Sequence, residues 1–247
     1  MNASLTTVRL SPPALRLVVI SSVTMVILSL LLWIERDLDR GFLLAHNLLR
    51  DHPSVVALCG AFSRFGISAI CLLLFACIAA SFFSPAFREA RSVLLIVLFS
   101  FGAAALAGTL LKELVGRARP IADLAGQLNA AVRHSSPSFP SGHAAKSLAL
   151  ALPFVLLVPA GSVVVRLIKL ALLLIAILVC YSRIVLGAHY LSDVLAGAAL
   201  ALACVPVAMA AANAIYTRGK VTPEKLNRVV KRQAFILLAL ALWLPFL

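Results

Sequence analysis

Charge is scarce in this chain, and acidic charge is scarcest. Only 13% of the 247 residues are charged, with nine Asp and Glu against 22 Lys and Arg. With 62% hydrophobic residues and a mean hydropathy of +1.06, this composition excludes an ordinary soluble domain. Cysteine is also sparse: Cys59, Cys71, Cys77, Cys180 and Cys204 lie in or beside apolar runs, are odd in number and form no Cys-x-x-Cys pair. That pattern excludes a disulfide or thiolate-metal framework and reads as small packing residues. No low-complexity tract, soluble module or clear internal repeat interrupts the chain, so residues 1–247 read as a single domain.

What is present is a succession of apolar stretches. Segments 15–34, 66–83, 92–111, 144–160, 167–187 and 194–216 each approach the ~20 residues a helix needs to cross hydrocarbon. The expected fold is therefore all-α: a polytopic membrane helical bundle with about six transmembrane helices. The first stretch runs into Trp33-Ile34-Glu35-Arg36 with no small-residue cleavage site and is read as an uncleaved anchor. The last, 234–247, is shorter than a comfortable span and is expected to be a non-spanning or partly inserted helix. Within the connection 35–64, the apolar spacing over 41–50 suits a short amphipathic helix on the outer interface.

Three polar fragments stand among these stretches: Lys112 with Arg119-Pro120, then Pro140-Ser141-Gly142-His143, then Ser182-Arg183 followed by His189 and Asp193. Such groups beside a membrane are costly unless they pair with each other or with a charged ligand, so the cluster reads as functional. Its cations and imidazoles suit phosphoryl chemistry. The first fragment follows the third span, the second opens the fourth, and the third bridges the fifth and sixth. Parity therefore puts all three at one membrane face.

Cations at the helix ends orient the bundle. One side collects twelve Lys and Arg between Arg9 and Arg232, and the other nine, of which Lys112, Arg119 and Arg183 belong to the fragments. By the positive-inside rule the richer side is cytoplasmic, which places the site on the non-cytoplasmic face. The net charge of +13 is thus a topology signal with attraction to anionic lipid, and no nucleic-acid partner is implied.

The fragments resemble the signature of the type 2 phosphatidic acid phosphatase superfamily, membrane lipid phosphatases related to soluble vanadium haloperoxidases. Lys112, six residues, Arg119-Pro120; Pro140 to His143; and Ser182-Arg183, five residues, His189, three residues, Asp193 fill all eleven defined positions. The catalytic signature spans 112–193. The resemblance implies that His189 is the nucleophile and carries a transient phosphohistidine. Asp193, four residues on, can bond one imidazole nitrogen and leave the other to attack. His143 can protonate the departing oxygen and later activate water.

Lys112, Arg119 and Arg183 are expected to bind the phosphate oxygens, with the Ser141 hydroxyl and the Gly142 amide at a helix start. No metal or cofactor is called for, since both histidines have acid–base or nucleophilic roles and one carboxylate accompanies them. Arg117 and Lys146 either enlarge an electropositive entrance or snorkel to the interface. His46, His52 and His134 are expected to face solvent in loops.

The implied partners are the bilayer and a phospholipid or polyprenyl phosphate. The implied function is hydrolysis of a lipid phosphate or diphosphate at an inner membrane, of the undecaprenyl diphosphate or phosphatidylglycerophosphate type. A lipid A phosphatase or a lipid phosphotransferase would use the same site, and a transporter or lipid-binding protein with a degenerate site is the reading from another class.

Overall fold

A computed structural model describes residues 8–47, 51–87, 90–124, 128, 136–218 and 223–246. The chain is all-helical there. In order it forms α1 (Pro12–Ile34), α2 (Arg36–Asn47), α3 (Pro53–Ala80), α4 (Ala90–Val115), the one-turn α5 (Pro120–Asp123), α6 (Gly142–Leu157), α7 (Val163–Val185), α8 (Leu191–Arg218) and α9 (Pro223–Trp243). Short 3-10 turns occupy Pro85–Phe87 and Leu244–Phe246. Five helices, α1, α3, α4, α7 and α8, are long and apolar enough to cross a bilayer.

Local chemistry sets several starts. Pro12 and Pro53 stand in the first turns of α1 and α3, where a missing N–H costs nothing, and the Ser162 hydroxyl caps α7 by accepting from the Val165 N–H. The α3 helix begins thirteen residues before the expected span at Gly66. Its extra turns carry Ser63 to the site described below.

Helix α6, at sixteen residues, is the shortest of the apolar helices, and residues 147–154 along it are all buried. It packs against α4, α7 and α8, which surround it. The alanine-rich α8 contacts α1, α4 and α6. At Gly197 a Cβ would lie 2.6 Å from the Ser141 carbonyl oxygen, so only glycine lets the start of α6 seat on α8. The first helix is held to α8 by two hydroxyls, Ser22 Oγ donating to the Ala199 carbonyl (2.9 Å) and Ser29 Oγ to that of Ser192 (2.8 Å), while most of its apolar surface is exposed.

Residues 234–243 of the C-terminal segment belong to a longer helix, and residue 247 lies outside the described residues. The α9 helix starts at Pro223 and turns Val230, Ala234, Leu237 and Ala241 inward against α3. The interfacial helix expected at 41–50 instead spans Arg36–Asn47, and residues 48–50 lie outside the described residues.

Candidate active site

The three signature fragments meet at one end of the bundle. Lys112 stands in the last turn of α4, and its Nζ donates to the carbonyls of Pro137 (2.6 Å) and Ser138 (3.3 Å). Arg119, at the N-cap position of α5, is 7% exposed and forks across the following strip of chain: Nε donates to the Ser136 carbonyl (2.8 Å), Nη2 to the Ser136 hydroxyl (3.0 Å) and Nη1 to the Ala188 carbonyl (3.0 Å). Both cations are thus fixed by backbone oxygens before any anion arrives, which is the preorganisation charge stabilisation requires.

Ser141 occupies the N-cap position of α6. Its backbone N–H donates to the Asp193 carbonyl at 2.9 Å, joining the second fragment to the third. Its hydroxyl is buried and has no hydrogen-bond partner, a state that polar groups rarely hold without a ligand to meet. Gly142 opens the helix, where first-turn amides have no intrahelical acceptor, and the stems of Lys112 and Lys146 flank it: a Cβ there would lie 3.9 Å from Lys112 Cε and 4.0 Å from Lys146 Cε. That proximity favours the electropositive reading of Lys146. His143 follows as the second residue of α6 and is partly exposed.

The spacing from Arg183 to His189 is the closure of a helix end. Gly187 adopts φ +67°, a left-handed turn that glycine takes without strain, and the Ala188 and His189 N–H groups both return to the Arg183 carbonyl (3.0 and 3.2 Å). Arg183 is 5% exposed and donates through Nη1 to the Ser63 hydroxyl of α3. Ser182 is buried and bonds within α7.

His189 is 2% exposed and stands just before α8, with Asp193 in that helix's first turn. Its Nδ1 lies 3.5 Å from Asp193 Oδ2 and 3.4 Å from Ser138 Oγ, and its Nε2 lies 3.4 Å from Arg119 Nη1. The Ser138 hydroxyl donates to Asp193 Oδ2, which also accepts the Tyr190 N–H at 3.0 Å. A carboxylate on the Nδ1 side and an arginine donor on the Nε2 side select the tautomer with hydrogen on Nδ1 and a lone pair on Nε2. Burial pushes the imidazole down to about 3, with Arg183 and Arg119 acting the same way and Asp193 opposing them, so the ring is neutral at neutral pH.

Arg117 is paired with two carboxylates. Its Nη1 donates to Asp193 Oδ1 (2.7 Å) and to Ser192 Oγ (2.6 Å), and its Nη2 to Asp39 Oδ2 (3.0 Å), while the guanidinium lies 4.3 Å from the Tyr190 ring centroid and 5.1 Å from that of Trp33. Sequence reasoning missed this partner set, as it missed Ser138, Ser63 and Asp39. One signal for Asp39 was available: Asp39, Leu43 and Asn47 recur every four residues and form the buried stripe of α2, so two polar residues lie where an amphipathic helix normally presents apolar ones.

The outlying histidines separate. His52 is exposed at the N-cap position of α3 as expected, whereas His46 is half-buried within α2, its Nδ1 2.8 Å from the Phe42 carbonyl oxygen and its ring stacked on Phe42 at 4.0 Å. His134 lies outside the described residues. Among the described residues no three His, Cys, Asp or Glu side chains converge as a metal site would need.

Comparison with known proteins agrees with this geometry. The model of the PAP2 superfamily matches residues 93–216, which include every signature position. The crystal structure described as the first transmembrane PAP2 type phosphatidylglycerolphosphate phosphatase, from Bacillus subtilis, superposes with a TM-score of 0.58 at 28% sequence identity, covering 79% of this chain and 97% of that one. A search of curated proteins finds no match. Half of the chain fits the family, and its three fragments fold into one cationic, histidine-bearing cluster at the end of a helical bundle: this chain belongs to the PAP2 superfamily, as a multi-pass membrane phosphatase.

Proposed function

We propose that this protein hydrolyses a lipid phosphate or diphosphate without a metal, through a phosphohistidine at His189, on the non-cytoplasmic face of a cell (inner) membrane. The carrying observation is the environment of His189: a neutral imidazole with Asp193 and Ser138 behind Nδ1 and the Arg119 guanidinium beside Nε2. In the first step Nε2 attacks phosphorus and the bond to the lipid oxygen breaks, with His143 giving that oxygen a proton. In the second, His143 takes a proton from water as the water oxygen attacks phosphorus, and the P–N bond breaks to restore the imidazole and release phosphate. Lys112, Arg119 and Arg183 hold the equatorial oxygens, assisted by the Ser141 hydroxyl and the Gly142 amide.

A lipid substrate is supported by an apolar cavity of about 280 Å³ between α1, α4 and α8. Leu111 and Pro140 line it, and they adjoin Lys112 and Ser141 in the chain, so an acyl or prenyl tail can rest in the bilayer while its phosphate meets the cations. The likeness to a phosphatidylglycerolphosphate phosphatase favours phosphatidylglycerophosphate, with undecaprenyl diphosphate as the second candidate. The test is phosphate release by detergent-purified protein from a panel of lipid phosphates, with and without exhaustive chelation. Release that survives chelation is expected. No release from any lipid phosphate, or release restored only by a divalent ion, overturns the reading.

A further inference from the structure

Asp39 is 1% exposed, belongs to no signature fragment and comes from α2, yet it reaches the catalytic cluster. Its Oδ1 accepts the Ser192 N–H at 3.1 Å; its Oδ2 accepts the Ser192 hydroxyl and, at 3.0 Å, Arg117 Nη2. The same guanidinium holds Asp193 Oδ1 at 2.7 Å, leaving Oδ2 to face His189. At the other end of α2, Asn47 Nδ2 donates to the Val185 carbonyl at 2.9 Å. The helix thus clamps the end of α7 and the start of α8, the two supports of the turn that carries His189.

Two carboxylates share one guanidinium in this chain of contacts, so the group Asp39–Arg117–Asp193 carries one net negative charge in a buried place. That charge faces the ring on the Nδ1 side, with Arg119 on the Nε2 side. Phosphorylating Nε2 while Nδ1 keeps its hydrogen makes the ring cationic, and a carboxylate held behind Nδ1 stabilises that charge. We infer that Asp39 and Arg117 are positioning residues for the phosphohistidine step, with Arg117 orienting Asp193 and Asp39 both holding Arg117 and maintaining the negative charge that the phosphorylated ring requires. This rests on the phosphohistidine reading above.

The test compares Asp39→Asn, Asp39→Glu and Arg117→Lys with the wild type in detergent, using a radiolabelled short-chain lipid phosphate. Alkaline quenching preserves phosphohistidine and gives the rate of phosphoenzyme formation, while the monodisperse fraction in size-exclusion chromatography counts the folded sites, so rates are expressed per folded site and a poorly folded fraction drops out. Asp39→Asn keeps the side-chain shape and removes the charge, while Arg117→Lys keeps a charge that cannot bridge two carboxylates and carries the test if Asp39→Asn does not fold. Both should lower kcat per site and the rate of phosphoenzyme formation at least tenfold with KM within twofold, and Asp39→Glu should recover most of the loss. Variants with kcat per site within twofold of wild type, their lost activity matching lost sites, overturn the positioning role alone. A wild type that forms no phosphoenzyme and releases no phosphate overturns the functional reading, and this inference with it.

Discussion

The guanidinium of Arg119 lies 3.4 Å from Nε2 of His189, on the opposite side of the ring from Asp193. A cation so close to the attacking nitrogen both disfavours its protonation and stands where phosphate oxygens must gather. Arg119→Lys keeps one charge but loses the planar fork that also spans Ser136 and Ala188. A fall in kcat of roughly 100-fold is expected, the scale of losing one oriented donor to transition-state charge. Steady-state phosphate release from the preferred lipid phosphate measures it, and a loss confined to KM would remove Arg119 from that role.

Acid should affect activity later than an ordinary histidine would predict. Because burial and the neighbouring arginines hold His189 far below its usual value of 6.5, Nε2 stays unprotonated through mildly acidic pH. The acidic limb of kcat/KM is expected to lie well below 6.5. A limb at 6 to 7 that persists in His143→Ala, assayed on a lipid phosphate ester with a good leaving group, would contradict this.

The same depression links folding to pH. The unfolded chain takes up a proton at this position near 6.5, whereas the folded chain resists until about 3. The contribution of neutral His189 to stability is complete above pH 6.5 and declines as pH falls through that window, by up to about 1.4 kcal/mol per pH unit. Thermal melts in detergent from pH 7 to pH 4 should show a shallower decline for His189→Gln than for the wild type.

Ser138 lies outside the signature yet touches both members of the dyad. Replacing it with alanine removes one of the donors that hold Asp193 Oδ2 and an oxygen facing Nδ1. A decrease in kcat of about 10-fold with little change in KM is expected, in keeping with the modest worth of one orienting hydrogen bond.

Gly197 is a structural control on the site. A methyl group there would meet the Ser141 carbonyl oxygen at 2.6 Å and the Ala145 nitrogen at 3.1 Å, so Gly197→Ala must push α6 away from α8 and disturb the Ser141–Asp193 backbone bond. Destabilisation of about 2 kcal/mol is expected, together with loss of phosphate release. Retention of both wild-type melting and activity would show that the helices part without consequence.

Membrane orientation is tested by single cysteines in a background lacking the native five. Ala122→Cys, near the site, should react with an impermeant thiol reagent on intact cells, and Arg232→Cys on α9 should not. The reverse pattern would move the chemistry to the cytoplasmic leaflet.

What the sequence determined alone was whatever depends on neighbours along the chain. The apolar runs announce a multi-pass bundle because transfer of a segment into hydrocarbon is a sum over its own residues, and the parity of those runs brings Lys112, Ser141 and His189 to one end of it. Spacing within a helix end was legible too: Arg183 and His189 are related by one turn closed at Gly187. The bounds were less so, since the α3 helix extends thirteen residues back to Pro53, through a stretch in which Ser63 and Arg64 interrupt the apolar run. Partner choice was the work of tertiary structure. Arg117 could serve as an entrance cation or a snorkelling one in any reading of its own segment; its guanidinium joins Asp39 and Asp193, 78 and 76 positions away, only because α2 packs against the junction of α7 and α8. Ser138 and Ser63 were invisible for the same reason, for a hydroxyl shows nothing in the sequence of the carboxylate or guanidinium that packing will set beside it.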